Sequence, residues 1–245
     1  MTECCEFLEW DSAFFGFPVG RLRTHLLNAE LAERCIAWCL RHGIRCLYFL
    51  AACDDIETTD TAARFGFRLV DIRMTLEHDL RVARRSSPAI RPCREEDVGI
   101  LRRIAAETHQ DSRFYHDTHF PRERCDELYA TWIERSFRGY ADAVLVAERD
   151  GTPAGYVTCH LDPAAVGRIG LLGVAAEARG QGLGGELVEA ALAYFCEHGM
   201  TRATVVTQGR NVAAQRLYQK HGFRTRSVEF WYHKWFDAPE GQSAL

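Results

Sequence analysis

The sequence predicts an α/β protein in two parts, and three observations lead to this prediction. Runs with the apolar spacing of helices alternate along the chain with short runs typical of strands. Residues 179–184 read Arg-Gly-Gln-Gly-Leu-Gly and join a strand-like run to a helix-like run. Residues 84–88, rich in arginine, serine and proline, separate two such regions and are typical of a linker.

The first part, residues 1–83, has the pattern of a small α/β domain. Its predicted elements are a helix at 29–42, a strand at 44–52, a helix at 59–65 and a strand at 68–77. The second part, residues 88–237, is longer. Its predicted helices lie at 95–109, 121–138, 183–198 and 211–221, and its predicted strands lie at 143–148, 154–160, 168–176, 203–208 and 223–235.

A short sequence occurs in both parts. Gly-Phe-Arg follows a predicted helix at 66–68 and again at 222–224, and a strand-like run follows it each time. The first part is therefore either a reduced copy of the second or similar to it by chance. It has no counterpart of the glycine-rich turn, so we expect only the second part to bind phosphate.

The composition excludes several classes of protein. The chain has 245 residues, 47% of them hydrophobic, and a net charge of -4, which offers no basic footprint for nucleic acid. No apolar run reaches the roughly 18 residues that span a membrane. The N-terminal residues lack the apolar core of a signal peptide. We therefore expect a cytoplasmic protein that binds neither nucleic acid nor a membrane.

Ten cysteines raise the question of disulfides or a metal site. No Cys-x-x-Cys occurs, and no group of histidines and cysteines has the spacing of zinc ligands. In a reducing cytoplasm most of the thiols should be free. We expect no metal, and we expect Cys4 and Cys5 to be the most exposed and oxidisable thiols.

The glycine-rich turn has the residues of an anion-binding site. Glycine lets the main chain approach a phosphate, and the first N–H groups of a helix carry the positive end of its dipole. Arg179 adds a cation. No Gly-Lys-Ser/Thr follows, as a Walker loop needs, and the Gly-x-Gly-x-x-Gly of a dinucleotide fold is absent. The sequence predicts a phosphate-bearing ligand of another class.

The order of motifs around this turn resembles the GCN5-related N-acetyltransferases, the GNAT family. A strand containing Leu172-Gly-Val precedes Arg-x-x-Gly-x-Gly, and another strand, Asn211 and a Tyr-x-x-x-Gly-Phe sequence starting at Tyr218 follow. The resemblance covers residues 90–235. It implies the GNAT fold, in which helices flank a mixed, twisted sheet, and it implies acetyl-CoA as the cosubstrate.

The resemblance also implies roles for single residues. The pyrophosphate of acetyl-CoA would bind the turn residues Arg179, Gly180, Gln181, Gly182, Leu183 and Gly184. The main chain of Leu172, Gly173 and Val174 would hold the pantetheine arm, where that strand splays from its neighbour. Asn211 would contact coenzyme A, and Tyr218 would protonate the leaving thiolate.

A tyrosine suits this chemistry. An unprotonated amine attacks a thioester directly, so no enzymic nucleophile is needed. The departing thiolate needs a proton, and a phenol with a pKa of about 10 keeps its proton until then. The alternative is that Tyr218 is a core aromatic residue of an amphipathic helix. A carboxylate or a histidine should accept the proton that the amine loses.

Further motifs resemble the TDP-fucosamine acetyltransferases, which acetylate the amino group of a nucleotide-linked 4-amino-4,6-dideoxy sugar and also have a small N-terminal domain. The motifs lie at 8–16, 112–114, 132–133, 168–173, 206–208 and 211–222. Asp71 falls where this group carries a carboxylate suited to water-mediated deprotonation. The alternative for Asp71 is a solvated strand carboxylate.

The sequence thus predicts an acetyl-CoA-dependent N-acetyltransferase for a nucleotide-linked amino sugar. The alternatives are transfer to another primary amine (an amino acid, polyamine, antibiotic or protein N-terminus) and a non-catalytic protein that binds coenzyme A. A homodimer is among the assemblies that the sequence allows.

The loop 111–117 joins the first two helices of the second part, where the acceptor should enter. Arg113 is a candidate for pairing with a diphosphate, and Phe114 or Tyr115 for stacking on a base or sugar. The alternative is that these are surface and packing residues. We expect His109, just before the loop, to be an ordinary loop histidine.

Overall fold

The computed structural model describes residues 3–80 and 90–236. The chain divides into two compact units: unit 1 comprises Met1–Arg73 and Val228–Leu245, and unit 2 comprises Met74–Ser227. The predicted linker at 84–88 lies outside the described residues, as does the boundary between the predicted domains 1–83 and 88–237. That division therefore stays a prediction.

The described residues form strands and helices that follow one another along the chain. In order they are β1 (Cys5–Phe7), α1 (Glu9–Phe15), β2 (Val19–Leu22), α2 (Ala29–Arg41), β3 (Cys46–Ala52), α3 (Ile56–Arg64), β4 (Arg68–Asp79), β5 (Ile90–Pro92), α4 (Val98–Thr108), α5 (Arg122–Arg135), β6 (Ala143–Arg149), β7 (Thr152–Asp162), β8 (Val166–Val174), α6 (Leu183–Glu197), β9 (Arg202–Gln208), α7 (Val212–Lys220) and β10 (Arg224–Trp235).

The predicted α/β class, with a mixed sheet flanked by helices, is confirmed. Each predicted helix and strand is present, with bounds that differ by a few residues. The sequence pattern does not predict the short elements β1, α1, β2 and β5. Helix α1 has no side-chain cap at its start, and β2 spans four residues, so neither has a pattern long enough to detect.

Unit 1 is built on a sheet in which β2 pairs with β3 in parallel, while β1 and the end of β10 pair antiparallel with β2 and β3 respectively. Helix α2 begins at its cap Asn28, whose carboxamide oxygen accepts a hydrogen bond from the Leu31 N–H at 2.9 Å. Cys35, Trp38 and Cys39 are buried on one face of α2, at the spacing of an amphipathic helix. These side chains belong to the core of unit 1.

Unit 2 contains the antiparallel series β5, β6, β7 and β8, and β9 pairs in parallel with β8. Helices α4 and α5 pack against each other, and α6 packs on β6, β7 and β8. Helix α6 is apolar on most of its surface, with Leu187, Val188 and Phe195 among its buried residues. Within the described residues, no helix is long and apolar enough to cross a membrane.

Candidate active site

Strands β8 and β9 separate partway along their length. Their parallel pairing covers 166–169 and 202–205, and both strands continue beyond it. A β-bulge lies at the same point, because Gly170 and Leu171 of β8 stand opposite the single residue Thr158 of β7. A bulge bends its strand and increases the local twist. It therefore explains why β8 leaves β9 here.

The bulge depends on the residues at its centre. The Leu171 N–H donates to the Thr158 hydroxyl oxygen at 2.8 Å, so a side chain accepts this main-chain hydrogen bond. A Cβ atom added to Gly170 would lie 2.5 Å from Nε2 of His160 and 2.6 Å from Oγ1 of Thr158. Only glycine therefore fits at this position without displacing its neighbours.

A cavity of about 180 Å³ lies where the two strands part. We call it the gap cavity. Leu171 and Leu172 line it from β8, Thr207 lines it from β9, and Tyr218 lines it from α7. The structure thus places the predicted catalytic tyrosine in the opening between the strands, where the resemblance places the thioester.

A larger cavity, of about 730 Å³, adjoins the gap cavity. The end of β8 lines it with Leu172, Gly173 and Val174, and the glycine-rich turn lines it opposite. Leu172 and Asn211 line both cavities, so the two form a continuous path. A long, thin ligand with a phosphate group at one end fits a path of this form.

The glycine-rich turn leaves the start of helix α6 open. Gly180 and Gly182 have φ angles of +75° and +89°, in the left-handed region that favours glycine. Gly182 is the cap residue of α6 and supplies no side-chain hydrogen bond. The N-terminal N–H groups of a helix need partners from elsewhere when the cap lacks a side chain. An anion held at this end would satisfy them and would meet the positive end of the helix dipole.

The polar side chains of the turn differ in position. The Arg179 guanidinium donates from Nε to the Val174 carbonyl at 3.2 Å, which holds it across the end of β8 beside the larger cavity. Gln181 donates to the Glu177 carbonyl at 3.0 Å and accepts from Arg149. Of the six turn residues, Gln181 alone is absent from the lining that the described residues give this cavity.

Asn211 is the cap of α7. Its side-chain oxygen accepts from the Ala214 N–H at 2.9 Å, which stabilises the start of that helix. The carboxamide also has two N–H donors on its nitrogen. The residue therefore has a structural role through its oxygen, and it lies between the two cavities, where the resemblance expects coenzyme A.

Tyr218 is buried, and its ring packs edge-on against Phe223 with 5.6 Å between the ring centroids. Burial raises the pKa of Tyr218 well above its ordinary value, so the phenol is protonated at neutral pH. The core-aromatic role and a role in the gap cavity are thus compatible, because the ring packs in the core and the same side chain lines the cavity.

His109 also lines the gap cavity, although the sequence predicts an ordinary loop histidine. Its Nε2 lies 2.9 Å from the Tyr156 hydroxyl, and its ring stacks on Tyr129 with 4.6 Å between centroids. Burial lowers its pKa to about 4, so the imidazole is neutral at pH 7. A single histidine at the end of α4 has no local signal for this position, which arises from the packing of α4, α5 and β7.

Asp71 belongs to unit 1, on β4, whereas the residues described above belong to unit 2. It is 4% exposed, so the alternative of a solvated carboxylate is wrong. Its side chain accepts a hydrogen bond from the Ile72 N–H at 2.8 Å. A buried carboxylate on a strand requires a polar partner, and this main-chain N–H is one.

The predicted acceptor loop is packed against its surroundings. Phe114 is 2% exposed and meets Phe120 edge-on at 5.3 Å. The Tyr115 hydroxyl donates to Asp126 at 2.6 Å, and the Arg113 guanidinium lies over the Phe114 ring at 4.4 Å. These contacts favour the packing alternative for all three predicted acceptor residues.

Comparison with protein families and with known proteins agrees with this geometry. The family model described as the acetyltransferase (GNAT) family matches residues 97–223. The chain is 30% identical over 229 residues to the dTDP-fucosamine acetyltransferase of Escherichia coli O6:H1, covering 93% of this chain and 96% of that protein. It is 27% identical over 150 residues to the spore coat polysaccharide biosynthesis protein SpsD of Bacillus subtilis, covering 57% of this chain and 48% of that protein.

A third relative shares a shorter stretch. The mycothiol acetyltransferase of Stackebrandtia nassauensis is 36% identical over 98 residues, covering 38% of this chain and 32% of that protein.

Solved structures share the fold. A GCN5-related N-acetyltransferase from Sphaerobacter thermophilus has a TM-score of 0.62 at 15% identity, covering 94% of this chain and 76% of that one. A functionally unknown conserved protein from Staphylococcus epidermidis has a TM-score of 0.67 at 13% identity, covering 97% and 93%. These structures share the fold, and the family match together with the dTDP-fucosamine acetyltransferase shows that the chain belongs to the GNAT family and is an acyl-CoA-dependent N-acetyltransferase.

Proposed function

We propose that this enzyme transfers an acetyl group from acetyl-CoA to the 4-amino group of a TDP-linked 4-amino-4,6-dideoxy sugar. One observation carries the choice of acceptor. The similarity to the dTDP-fucosamine acetyltransferase extends over 93% of this chain and 96% of that protein, and so includes unit 1. The mycothiol acetyltransferases match less of the chain, 38% for that of Stackebrandtia nassauensis and 71% for that of Pseudarthrobacter chlorophenolicus.

In this proposal acetyl-CoA occupies both cavities. Its pyrophosphate lies at the open start of α6, where it accepts from the main chain of the turn and pairs with Arg179. Gln181 contributes through its main chain, because its side chain is held by Glu177 and Arg149. The pantetheine arm follows residues 172–174 past Asn211, and the thioester enters the gap cavity.

The acetyl transfer is a direct displacement. The amine nitrogen attacks the thioester carbon, the C–S bond breaks as the tetrahedral intermediate collapses, and the sulfur leaves as a thiolate. Tyr218 donates a hydrogen bond to this sulfur and then its proton, for which it has to be protonated beforehand. At its ordinary pKa of about 10 the phenol is already protonated at pH 7, and burial raises this pKa further.

The proton that the amine loses has two candidate acceptors, Asp71 and His109. By pKa alone the two are similarly weak bases, since burial lowers the pKa of His109 to about 4 and an ordinary aspartate has a pKa of about 3.9. We assign Asp71 the role of general base, through a water molecule, because the resemblance places a carboxylate with this role at its position, and we assign neutral His109 a hydrogen bond that orients the amine.

The test is a coenzyme A release assay with matched acceptors. TDP-linked and UDP-linked 4-amino-4,6-dideoxy sugars would be compared with a polyamine and with a peptide that has a free N-terminus. We expect kcat/KM to be at least about 100-fold higher for the TDP-linked sugar, because contacts made only by the correct acceptor lower the barrier. A polyamine or a peptide that reacts faster would replace the sugar as the acceptor.

A binding measurement separates enzyme activity from simple binding. Acetyl-CoA at 100 times its dissociation constant should stabilise the protein by about 2.7 kcal/mol. Stabilisation without acetylation of any of these amines would favour a protein that binds coenzyme A without catalysis.

A further inference from the structure

Three cysteines of unit 1 come together, a fourth lies beside one of them, and none of the four has a role in the proposed acetyl transfer. Cys4 directly precedes β1, Cys5 is the first residue of β1, and Cys35 and Cys39 lie one turn apart on the buried face of α2. The sulfur atoms of Cys4, Cys5 and Cys35 all lie within 4.8 Å of one another. Cys39 lies outside this group of three, and its thiol interacts with that of Cys5.

The burial of the four thiols is graded. Cys5, Cys35 and Cys39 are fully buried, and Cys4 is half-buried. The prediction that Cys5 is exposed is therefore wrong, because Cys5 is paired in β1 and covered by α2. The cluster has one member at the surface, through which an ion can enter, and three members shielded from water.

The main chain holds the cluster on two separate elements. Cys5 pairs with Leu22 of β2, and the Arg23 N–H donates to the Cys4 carbonyl at 3.0 Å. Cys35 is fixed by the helix that Asn28 caps. The thiols therefore converge in the folded protein without needing a local sequence motif, which explains why the spacing of the cysteines does not indicate a site.

The spacing of the sulfur atoms suits coordination of one ion. Zinc binds thiolates at about 2.3 Å in a tetrahedron, which places the sulfurs about 3.8 Å apart. A disulfide requires its two sulfurs at about 2.05 Å. Buried cysteines commonly act as small apolar residues. Apolar packing alone does not require three sulfur atoms to lie within 4.8 Å of one another.

We propose that Cys4, Cys5 and Cys35 bind a zinc ion, with Cys39, one turn along the same buried face of α2, as the fourth ligand. This site goes beyond the acetyl transfer reaction. Binding is an exchange of protons for metal: Zn²⁺ displaces one proton from each of the four thiols, four Zn–S bonds form, and no electron is transferred. The four thiolates and the ion have a net charge of -2. Arg34, which interacts electrostatically with Cys35, offsets part of this charge. The bound ion would cross-link the N-terminal strand to α2.

The experiment titrates the reduced, metal-free full chain with Co²⁺, which adopts the zinc geometry and absorbs light when thiolates bind it. We expect a thiolate-to-cobalt absorption band that saturates at one ion per chain and disappears when Zn²⁺ is added. In Cys4→Ser the zinc affinity should fall by more than about 100-fold, since loss of an outer-shell partner alone costs 10- to 100-fold. Cys53→Ser, which removes a half-buried free thiol of the same unit outside the cluster, should bind as the wild type does.

A second variant tests a buried ligand, in case the replacement of Cys4 changes neither folding nor metal binding. Cys35→Ser removes a buried ligand from α2 and should abolish the band while acetyl-CoA still stabilises the protein. The proposal is overturned if the wild type shows no thiolate band, if both variants retain it, or if exposure to dissolved oxygen oxidises these cysteines to a disulfide although zinc is present.

Discussion

Units 1 and 2 contain the same series of elements, yet among the residues that the structure describes only unit 2 has the glycine-rich turn and the tyrosine expected of a coenzyme A site. In unit 1 the series is β2, α2, β3, α3 and the start of β4, and in unit 2 it is β8, α6, β9, α7 and the start of β10. In each series the first strand pairs in parallel with the second. The shared order supports the interpretation of the first part as a reduced copy of the second.

The ends of α3 and α7 match in detail. Gly66 and Gly222 have φ angles of +73° and +86°, and each is followed by a phenylalanine. The N–H of that phenylalanine donates to the main-chain carbonyl of Ala62 in unit 1 at 2.9 Å. In unit 2 it donates to the main-chain carbonyl of Tyr218 at 3.1 Å. Ala62 therefore occupies the position of Tyr218, so unit 1 has the scaffold without the phenol.

The starts of α2 and α6 differ in their caps: here unit 1 has a side chain that unit 2 lacks. The Asn28 side chain caps α2 from within, and Gly182 leaves α6 without a side-chain cap. The comparison teaches that the site depends on a few residues rather than on the fold. In the proposed mechanism the uncapped helix start binds the anion and a tyrosine supplies the proton, and unit 1 has neither at the equivalent positions.

Loss of the phenol should have the largest effect. We expect Tyr218→Phe to reduce kcat by about 100- to 10,000-fold, the usual contribution of a positioned acid. The KM for acetyl-CoA and the melting temperature should change little, because phenylalanine keeps the ring contact with Phe223. Steady-state kinetics and a thermal melt would measure this. Tyr194→Phe is the control, and equal turnover in both variants would return Tyr218 to a packing role.

Replacing the Asp71 carboxylate should have the second-largest effect. We expect Asp71→Asn to lower kcat/KM by about 100-fold at pH 7, and by less as the pH rises and the free amine loses its own proton. A pH profile of kcat/KM for both proteins would show the ratio shrinking. Asp60→Asn, an exposed change in α3, serves as the control. A ratio that stays constant with pH would indicate that Asp71 acts only through the structure.

His109 should make unit 2 sensitive to acid. Its pKa is about 4 in the folded protein and about 6.5 when unfolded, so between these values the unfolded chain binds more protons. The free energy of unfolding therefore falls as the pH drops through this window, by about 2 kcal/mol between pH 7 and pH 5. Urea unfolding at both pH values should show a smaller loss in His109→Gln. An equal loss would mean that His109 is not buried as a neutral ring.

Local sequence patterns predict most of the helices and strands and the glycine-rich turn. They do not predict which distant segments of the chain meet in the fold. The turn from Arg179 to Gly184 is contiguous, so its chemistry is evident from the sequence, and the amphipathic spacing of α2 gave its buried face. His109 and the pair Cys4 and Cys35 lie at sites formed by distant segments. Single residues have no periodicity, so only packing shows what surrounds them.

Exchanging the cap residues of α2 and α6 should have the smallest effect. This exchange tests most directly whether the difference between the two helix starts matters for binding. In Gly182→Asn the new side chain can accept from the first turn of α6, as Asn28 does in α2, and asparagine tolerates the left-handed backbone better than most residues. We expect the dissociation constant of acetyl-CoA to rise about tenfold, equivalent to about 1.4 kcal/mol, because the carboxamide competes with the pyrophosphate for the same N–H groups.

The reverse exchange, Asn28→Gly, uncaps α2 and should cost only a few tenths of a kcal/mol of stability. Isothermal titration of both variants with acetyl-CoA gives the comparison, and coenzyme A without the acetyl group separates phosphate binding from thioester binding. Asn28→Gly should bind one acetyl-CoA per chain with wild-type affinity, because residues 23–28 before α2 contain no glycine and their arginine, Arg23, pairs with Glu6. Unchanged affinity in Gly182→Asn would mean that the pyrophosphate does not depend on the open start of α6, and the difference between the helix starts would then have no part in binding.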